Sequence, residues 1–254
     1  MSLKDEFLKS LIGQQKDGKI RFALDDHGDI THLIKRVDPR CREVYEKLAA
    51  LRSPYLPAVL LMKEVDGALE VHEEYIRGQT LEAYAQEQGP LDDETLRQVA
   101  FDVAQALCLL HSTQPPIIHR DVKPQNILRR ENGRFVLIDF DAARLYDADA
   151  DTDTRCIVTM GYAAPEQYGL AQTDVRSDLF SLGVTLYEMK TREHYVMGAK
   201  CEGALHAVIA RCTAFDPKKR YASAEELLRA LDAQTPAGKK RRLRRGVGAG
   251  VMAL

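Results

Sequence analysis

His119-Arg120-Asp121-Val122-Lys123-Pro124-Gln125-Asn126, followed downstream by Ile138-Asp139-Phe140, is the stretch whose reading decides the fold. It sets a carboxylate, an ammonium, a carboxamide and a second carboxylate along a short length of chain. Asp121 can accept a proton from a hydroxyl. Asn126 and Asp139 offer hard oxygens of the kind that hold a metal bridging phosphates. Any one of these residues alone is usually structural. Eight positions in register form a pattern suited to phosphoryl transfer.

Working outward, the 254 residues suit one large domain or two smaller lobes, and 45% hydrophobic content suits a soluble core. Lys and Arg number 36 against 38 Asp and Glu, so no global charge points to a nucleic-acid partner. Cys41, Cys108, Cys156, Cys201 and Cys212 are scattered, without C-x-x-C spacing. They read as reduced thiols, not a disulfide framework or zinc site.

Toward the N-terminal side the chain reads as short strands: 19–24 and 30–37 around Asp25-Asp26-His27-Gly28-Asp29, then 59–65 and 69–75 around Asp66-Gly67. A short helix over 42–51 sits between them and ends before Pro54 and Pro57. Beyond residue 76 the pattern turns helical. Thr80 is placed to cap 81–86, and Asp92 to cap a helix running to His111 with Leu96, Val99, Val103, Ala106, Leu107 and Leu110 on one face. A strand over 135–139 and helices over 174–188, 204–212 and 223–231 follow. A strand-rich part and a helical part predict a ligand cleft near Glu74 to Gly78.

The order H-R-D-x-K-P-x-N, then D-F, resembles the catalytic core of bacterial, eukaryotic-like serine/threonine protein kinases, and the likeness covers residues 8–232. The resemblance implies an α+β, bilobal protein-kinase-like fold: a small antiparallel-sheet N-lobe over 1–75 and a mostly helical C-lobe over 76–235. It implies ATP and Mg2+, with Mn2+ as an alternative, and a protein substrate presenting Ser or Thr. Catalysis would fall to Asp121, Lys123 and Lys35, with Asn126 and Asp139 as metal ligands. Gly13, Gln15, Gly18 and Ile20 match the glycine-rich loop that cradles phosphates, just ahead of Leu33-Ile34-Lys35. Leu33 would lie over the adenine, and backbone groups of Glu74 and Ile76 would meet its edge. His119 and Arg120 read as structural. Thr159 matches a threonine that positions the catalytic Asp and Lys; Asp178 matches the aspartate that supports the catalytic loop; Glu166 and Arg220 match a bracing ion pair. Thr154, with Thr152 as alternate, is the candidate phosphorylation site, which implies self-association for autophosphorylation.

Several positions depart from the family pattern. Gln15 replaces the middle glycine of the loop, Leu33 the usual alanine, and Asp141 the glycine of D-F-G. Glu73 occupies the gatekeeper position, where a carboxylate must be solvated, paired or protonated. Only residues 36–53 separate Lys35 from Pro54, and register from Pro54 puts Val44 where the lysine's glutamate partner belongs. Glu46 or Glu43 would have to substitute, with Glu46 the better placed, unless both face solvent. The stretch from Met189 to Ala204 is brief, so a helix used in docking protein substrates is expected to be reduced or missing. Two other readings stay open: a pseudokinase scaffold or regulator with weak or no nucleotide binding, and a kinase for a small molecule.

No signal-peptide pattern opens the chain. At the far end, Lys239-Lys240-Arg241-Arg242-Leu243-Arg244-Arg245 precedes uncharged Gly246–Leu254. A basic cluster before an apolar run is the cytoplasmic flank of a membrane helix. Residues 236–254 therefore read as a juxtamembrane tail, the anchor is expected beyond residue 254, and the domain is expected in the cytoplasm of a single-pass membrane protein.

Overall fold

The computed structural model describes residues 20–147, 159–168 and 172–233. Gly13, Gln15, Gly18, Thr152, Thr154, Cys156 and the basic run Lys239–Arg245 lie outside the described residues. The chain divides into two compact units. Of the described residues, one unit comprises those up to Ser53 together with Pro57–Ile76, and the other comprises Pro54–Leu56 and those from Arg77 onward.

In the first unit, β1 (Ile20–Leu24), β2 (Ile30–Val37), β3 (Val59–Val65) and β4 (Ala68–Glu74) form one sheet in the order β1-β2-β4-β3, every neighbouring pair antiparallel. The turns are chemically specified. The Asp25 carboxylate accepts from the N–H groups of His27 and Asp29, both at 2.9 Å. Asp66 and Gly67 have φ of 50° and 72°, the positive pair that a two-residue hairpin loop favours. Helix α1 (Arg42–Ala50) follows a 3-10 turn at Pro39–Cys41 that Asp38 caps, and it buries Val44, Tyr45 and Leu48. The chain leaves α1 at Leu51, whose ψ of 134° is extended.

The second unit carries β5 (Gly78–Thr80), α2 (Leu81–Gln88), α3 (Asp93–His111), β6 (Ile117–Ile118), β7 (Ile127–Arg130), β8 (Phe135–Leu137), β9 (Arg144–Leu145), α4 (Val175–Thr191), α5 (His206–Cys212) and α6 (Ala224–Ala233). Strands β5-β7-β8 form a small sheet, and β6 pairs with β9. Thr80 and Asp92 cap α2 and α3 through the N–H groups of Ala83 and Thr95. The apolar face of α3 foreseen from spacing is fully buried at Leu96, Val99, Val103, Ala106, Leu107 and Leu110. Asp102, on the same helix, is buried too. It accepts from the Phe135 N–H at 2.9 Å, Arg134 at 3.0 Å and Gln98 at 2.8 Å, and so ties the β7–β8 hairpin to α3.

Most element ends fall within a residue or two of the sequence expectation, and two of the differences bear on the site and the core. The strand expected to reach Asp139 stops at Leu137, because the Ile138 N–H turns to the Asn126 carbonyl and Asp139 takes φ of 68°. Helix α4 runs past Glu188 to Thr191 and ends on Arg192 in the left-handed region. No helix lies between Thr191 and His206, in keeping with the shortness of that stretch.

Helix α4 is buried on nearly all sides, as a central core helix is. Its Gly183 permits close approach of the segment ending α5: a Cβ there would lie 2.5 Å from the Cys212 Cβ and 2.8 Å from the Thr213 Cγ2. Both neighbours are short, packed side chains. Gly183→Ala is therefore expected to destabilise the protein by about 1–3 kcal/mol, the usual cost of overpacking, despite alanine's higher helix propensity. Chemical denaturation of the two proteins checks this; equal midpoints would show that the α4–α5 contact yields.

Candidate active site

The loop from His119 to Asn126 is held from below by α4. Asp178, fully buried in its first turn, accepts from the backbone N–H groups of His119 at 2.8 Å and Arg120 at 2.7 Å, and from His111 Nε2 at 2.9 Å. Two successive N–H groups converge on one carboxylate because Arg120 adopts φ of 67°. The Arg120 carbonyl in turn accepts from Gln167 Nε2 at 3.0 Å, and Gln167 Oε1 accepts from the Ala164 N–H. Burial opposes ionisation of Asp178, but the hydrogen bonds from His111 and from the Arg120 N–H, with the two imidazoles close by, outweigh it and hold the carboxyl below its ordinary range.

His119 is buried with its ring edge-on to Phe140. Its Nε2 donates to the Ile138 carbonyl at 3.2 Å, and its Nδ1 accepts from the Asp121 N–H at 3.3 Å. Those partners fix one neutral tautomer. Burial pushes its pKa down against the pull of Asp178, Asp121 and Asp139. It is a strut between Asp121 and the segment ahead of Asp139.

Asp121 is the centre of the cluster. Thr159 Oγ1 donates to its Oδ1 at 2.6 Å; Lys123 Nζ lies 2.7 Å from its Oδ2, and Asn126 Nδ2 lies 2.8 Å from the same oxygen. Asn126 Nδ2 also donates to the Asp121 carbonyl at 2.9 Å, and Lys123 Nζ reaches Thr159 Oγ1 at 3.2 Å. The carboxamide nitrogen of Asn126 is thus committed within the loop, which orients its oxygen the other way. Asp139, at positive φ, accepts weakly from the Asp141 N–H at 3.4 Å, and Asp141 is exposed.

A metal between phosphates takes one or two protein oxygens plus phosphate and water. The carbonyl oxygen of Asn126 and the carboxylate of Asp139 fit that donor set. Among the described residues no group of three or more His, Cys, Asp or Glu forms a self-sufficient metal cage.

Glu166 and Arg220 form a bidentate pair, Nη1 to Oε1 at 2.6 Å and Nη2 to Oε2 at 2.9 Å. Ser177 Oγ donates to the same Glu166. Arg220 also donates to the carbonyls of Ala214, Arg176 and Phe215, and its guanidinium lies 4.8 Å from the Phe180 ring centroid. A buried arginine with so many partners is a brace for the loops around α4.

In the first unit, Ile20 faces Lys35 across β1–β2, and Phe22 faces Leu33. Lys35 is buried, and its Nζ lies 2.9 Å from Glu73 Oε2. The partner lies on β4 and not on α1, which is the case in which both helix glutamates face solvent. Glu43 and Glu46 are both exposed and neither pairs with Lys35, while the helix turns Val44 inward. The gatekeeper carboxylate is therefore paired. Breaking one side of such a buried pair typically costs about 3–5 kcal/mol. The Glu74 N–H is engaged by the Ala58 carbonyl, and Ile76 is buried.

The Glu73 pairing, Gln167 and Asp102 were not singled out as partners from sequence. Each depends on contacts between residues far apart along the chain. Only for Glu73 was there a signal: an acid in a strand position that should be apolar.

The chain matches the protein kinase domain family over residues 13–232 and belongs to that family. It is 32% identical over 208 residues to a probable serine/threonine-protein kinase of Clostridium perfringens, covering 73% of this chain and 30% of that protein. It is 32% identical over 233 residues to serine/threonine-protein kinase PknB of Mycobacterium leprae, covering 79% and 37%. With serine/threonine-protein kinase PknA of Nostoc sp. the figures are 30% over 230 residues, 82% and 40%. The chain spans about a third of the length of these curated relatives. Among the described residues no helix is long and apolar enough to cross a membrane.

Two outcomes follow from the loop's support. Asp178→Ala orphans two buried N–H groups, each costing about 1–3 kcal/mol, so unfolding free energy should drop by roughly 2–6 kcal/mol. A drop no larger than that of an exposed Asp→Ala control would show that the loop finds other acceptors. The second concerns pH. His119 is held neutral when folded, so its pKa lies below the ordinary 6.5. Between those values only the unfolded chain binds the proton, so stability is full above pH 6.5 and declines as pH falls below it. Asp178 acts in the same direction further down, its contribution being lost as pH falls below 3.8 through its lower folded value. Imidazole 15N resonances should keep His119 in the Nε2–H form as pH is lowered through 6.5. Protonation of His119 at or above that pH would refute the buried neutral ring.

Proposed function

We propose that this domain transfers the γ-phosphoryl group of ATP to serine or threonine hydroxyls of proteins. The observation that carries this reading is the Asp121 carboxylate held by Thr159, Lys123 and Asn126 in one loop. Asp121 orients the incoming hydroxyl and takes its proton as the oxygen attacks phosphorus and the bond to the ADP oxygen breaks. Lys123, a point charge already beside Asp121, neutralises charge on the moving phosphoryl group. Thr159 fixes the Asp121 rotamer. Magnesium, held by Asn126 and Asp139, would supply charge neutralisation at the phosphates. Lys35 contacts the α- and β-phosphates; Gly13, Gln15 and Gly18 offer backbone N–H groups; Ile20 and Leu33 pack on the adenine beside the backbone of Glu74 and Ile76.

A second reading, nucleotide binding without transfer, is favoured by one observation: Asp141 stands where the family has glycine and donates its N–H to Asp139. Transfer of labelled phosphate to a protein substrate separates the two. Asp121→Ala and Asp139→Ala should each lower transfer at least about a hundredfold while the thermal midpoint stays within a few degrees. Full activity in Asp139→Ala would exclude the metal role, and a wild-type chain that shifts with magnesium nucleotide but transfers nothing would establish the second reading. Autophosphorylation at Thr154 or Thr152 belongs to the first reading, with phosphopeptide mapping as its test. The run Lys239–Arg245 suits the anionic cytoplasmic face of a membrane, and fractionation of the full-length parent tests that location.

A further inference from the structure

We propose that Glu73, on strand β4, is the positioning residue for Lys35, in the place a carboxylate on α1 would otherwise fill. The inference rests on the kinase reading of Lys35. Strands β2 and β4 are antiparallel neighbours in which Leu33 faces Glu73 and Lys35 faces Val71. Lys35 and Glu73 are therefore diagonal neighbours on one face of the sheet, a separation that two long side chains can span. They do span it, with Nζ and Oε2 2.9 Å apart and both side chains at or below 10% exposure.

The acids of α1 do not compete for Lys35. On α1, Val44 and Tyr45 point into the core, and Glu43 and Glu46 are exposed. A lysine ammonium on a four-carbon stem has several rotamers, and burial without a counter-charge would favour loss of its proton. Glu73 supplies that counter-charge at 2.9 Å and limits the rotamers. The other Glu73 oxygen, Oε1, is buried without a hydrogen-bond partner, so the carboxylate is committed to Lys35 and not shared with a network.

The arrangement has a regulatory consequence. A partner on a helix can be withdrawn when the helix slides or rotates. A partner on the adjacent strand is fixed by the main-chain ladder of the same sheet. Lys35 then keeps its Glu73 partner whatever α1 does, so α1 carries no switch of that pair. A contrary arrangement is physically possible, in which Glu73 sequesters the ammonium from phosphate. It predicts the opposite sign for the same substitutions.

The test compares the intact chain with Glu73→Leu, Glu73→Gln and the double variant Glu43→Gln/Glu46→Gln. The measurements are kcat, KM for ATP, KM for a protein substrate, affinity for magnesium ATP by titration, and thermal midpoint. Glu73→Leu should lower kcat/KM for ATP about a hundredfold, the scale set by misplacing a reacting group by an ångström, while KM for the protein substrate stays put. Glu73→Gln, which keeps shape and one acceptor, should lose less. The double variant should match wild type. Should Glu73→Leu fail to fold, the near-isosteric Glu73→Gln carries the test through the same split between the two KM values. Tighter ATP binding or faster turnover in either Glu73 variant overturns the proposal in favour of sequestration. Loss in the Glu43/Glu46 variant overturns it in favour of the helix. A wild-type chain that binds magnesium ATP without transferring phosphate defeats the kinase reading alone, because nucleotide affinity still reports on Glu73. A wild-type chain that does neither defeats both.

Discussion

The carboxylate of Asp178 is the constraint on which the catalytic loop depends. It sits with no exposure in the first turn of a helix buried on nearly every side, so it cannot be shed into solvent. Two backbone N–H groups and one imidazole satisfy it. For the two N–H groups to converge, Arg120 must take φ of 67°, a conformation that costs a non-glycine residue about 1–2 kcal/mol. Hydrogen bonds to a charged acceptor contribute about 1.5–3 kcal/mol each, which outweighs that strain. The bend at Arg120 sets the direction in which the next residue, Asp121, leaves the chain. Burial of α4 thus sets the orientation of Asp121.

Around that anchor, buried charge is kept only where it is saturated. Arg220 gives its donors to both Glu166 oxygens and to three carbonyls. Asp102 takes a backbone N–H and two side-chain donors. Such groups are weak sources of net stability, because desolvation offsets attraction, but losing one partner is severe. Their value lies in fixing where loops go. Asp102 fixes the hairpin that precedes Asp139, and Glu166 fixes the end of the segment that carries Thr159. Asp121, Lys123, Asn126 and Thr159 then meet within hydrogen-bond distance, with only Asn126 of the four buried.

What the sequence made legible was local. Thr80 and Asp92 announce their helices because a cap needs only the next three residues, and the apolar stripe of α3 needs only a 3.6-residue period. Spacing within the catalytic loop marked Asp121, Lys123 and Asn126 for the same reason. Strands β5, β6, β7 and β9, two to four residues long, are too short to show a period. Gln167, which holds the Arg120 carbonyl, lies 47 residues from it, and nothing in its neighbours signals the bond. The resemblance places the partner of Lys35 on α1, because strand register is invisible until the sheet is assembled. The acid at position 73 is an anomaly in the sequence alone, and its partner is not visible there.

Register is what turns that anomaly into a partner. Side chains alternate along a strand, so slipping β4 against β2 by one residue would exchange its two faces. Leu69 and Val71, both with no exposure, would then leave the core for the face of the charged Arg21 and Lys63, and Glu70, which those two cations now cover, would enter the core unpaired. Burying roughly two such aliphatic side chains is worth about 3–6 kcal/mol at the usual 1.5–3 apiece, and burying an unpaired glutamate adds a further penalty. The apolar pair therefore holds β4 in the one register that sets Glu73 diagonal to Lys35. An ion pair that looks like a property of two charged residues is enforced by two hydrophobic ones beside it.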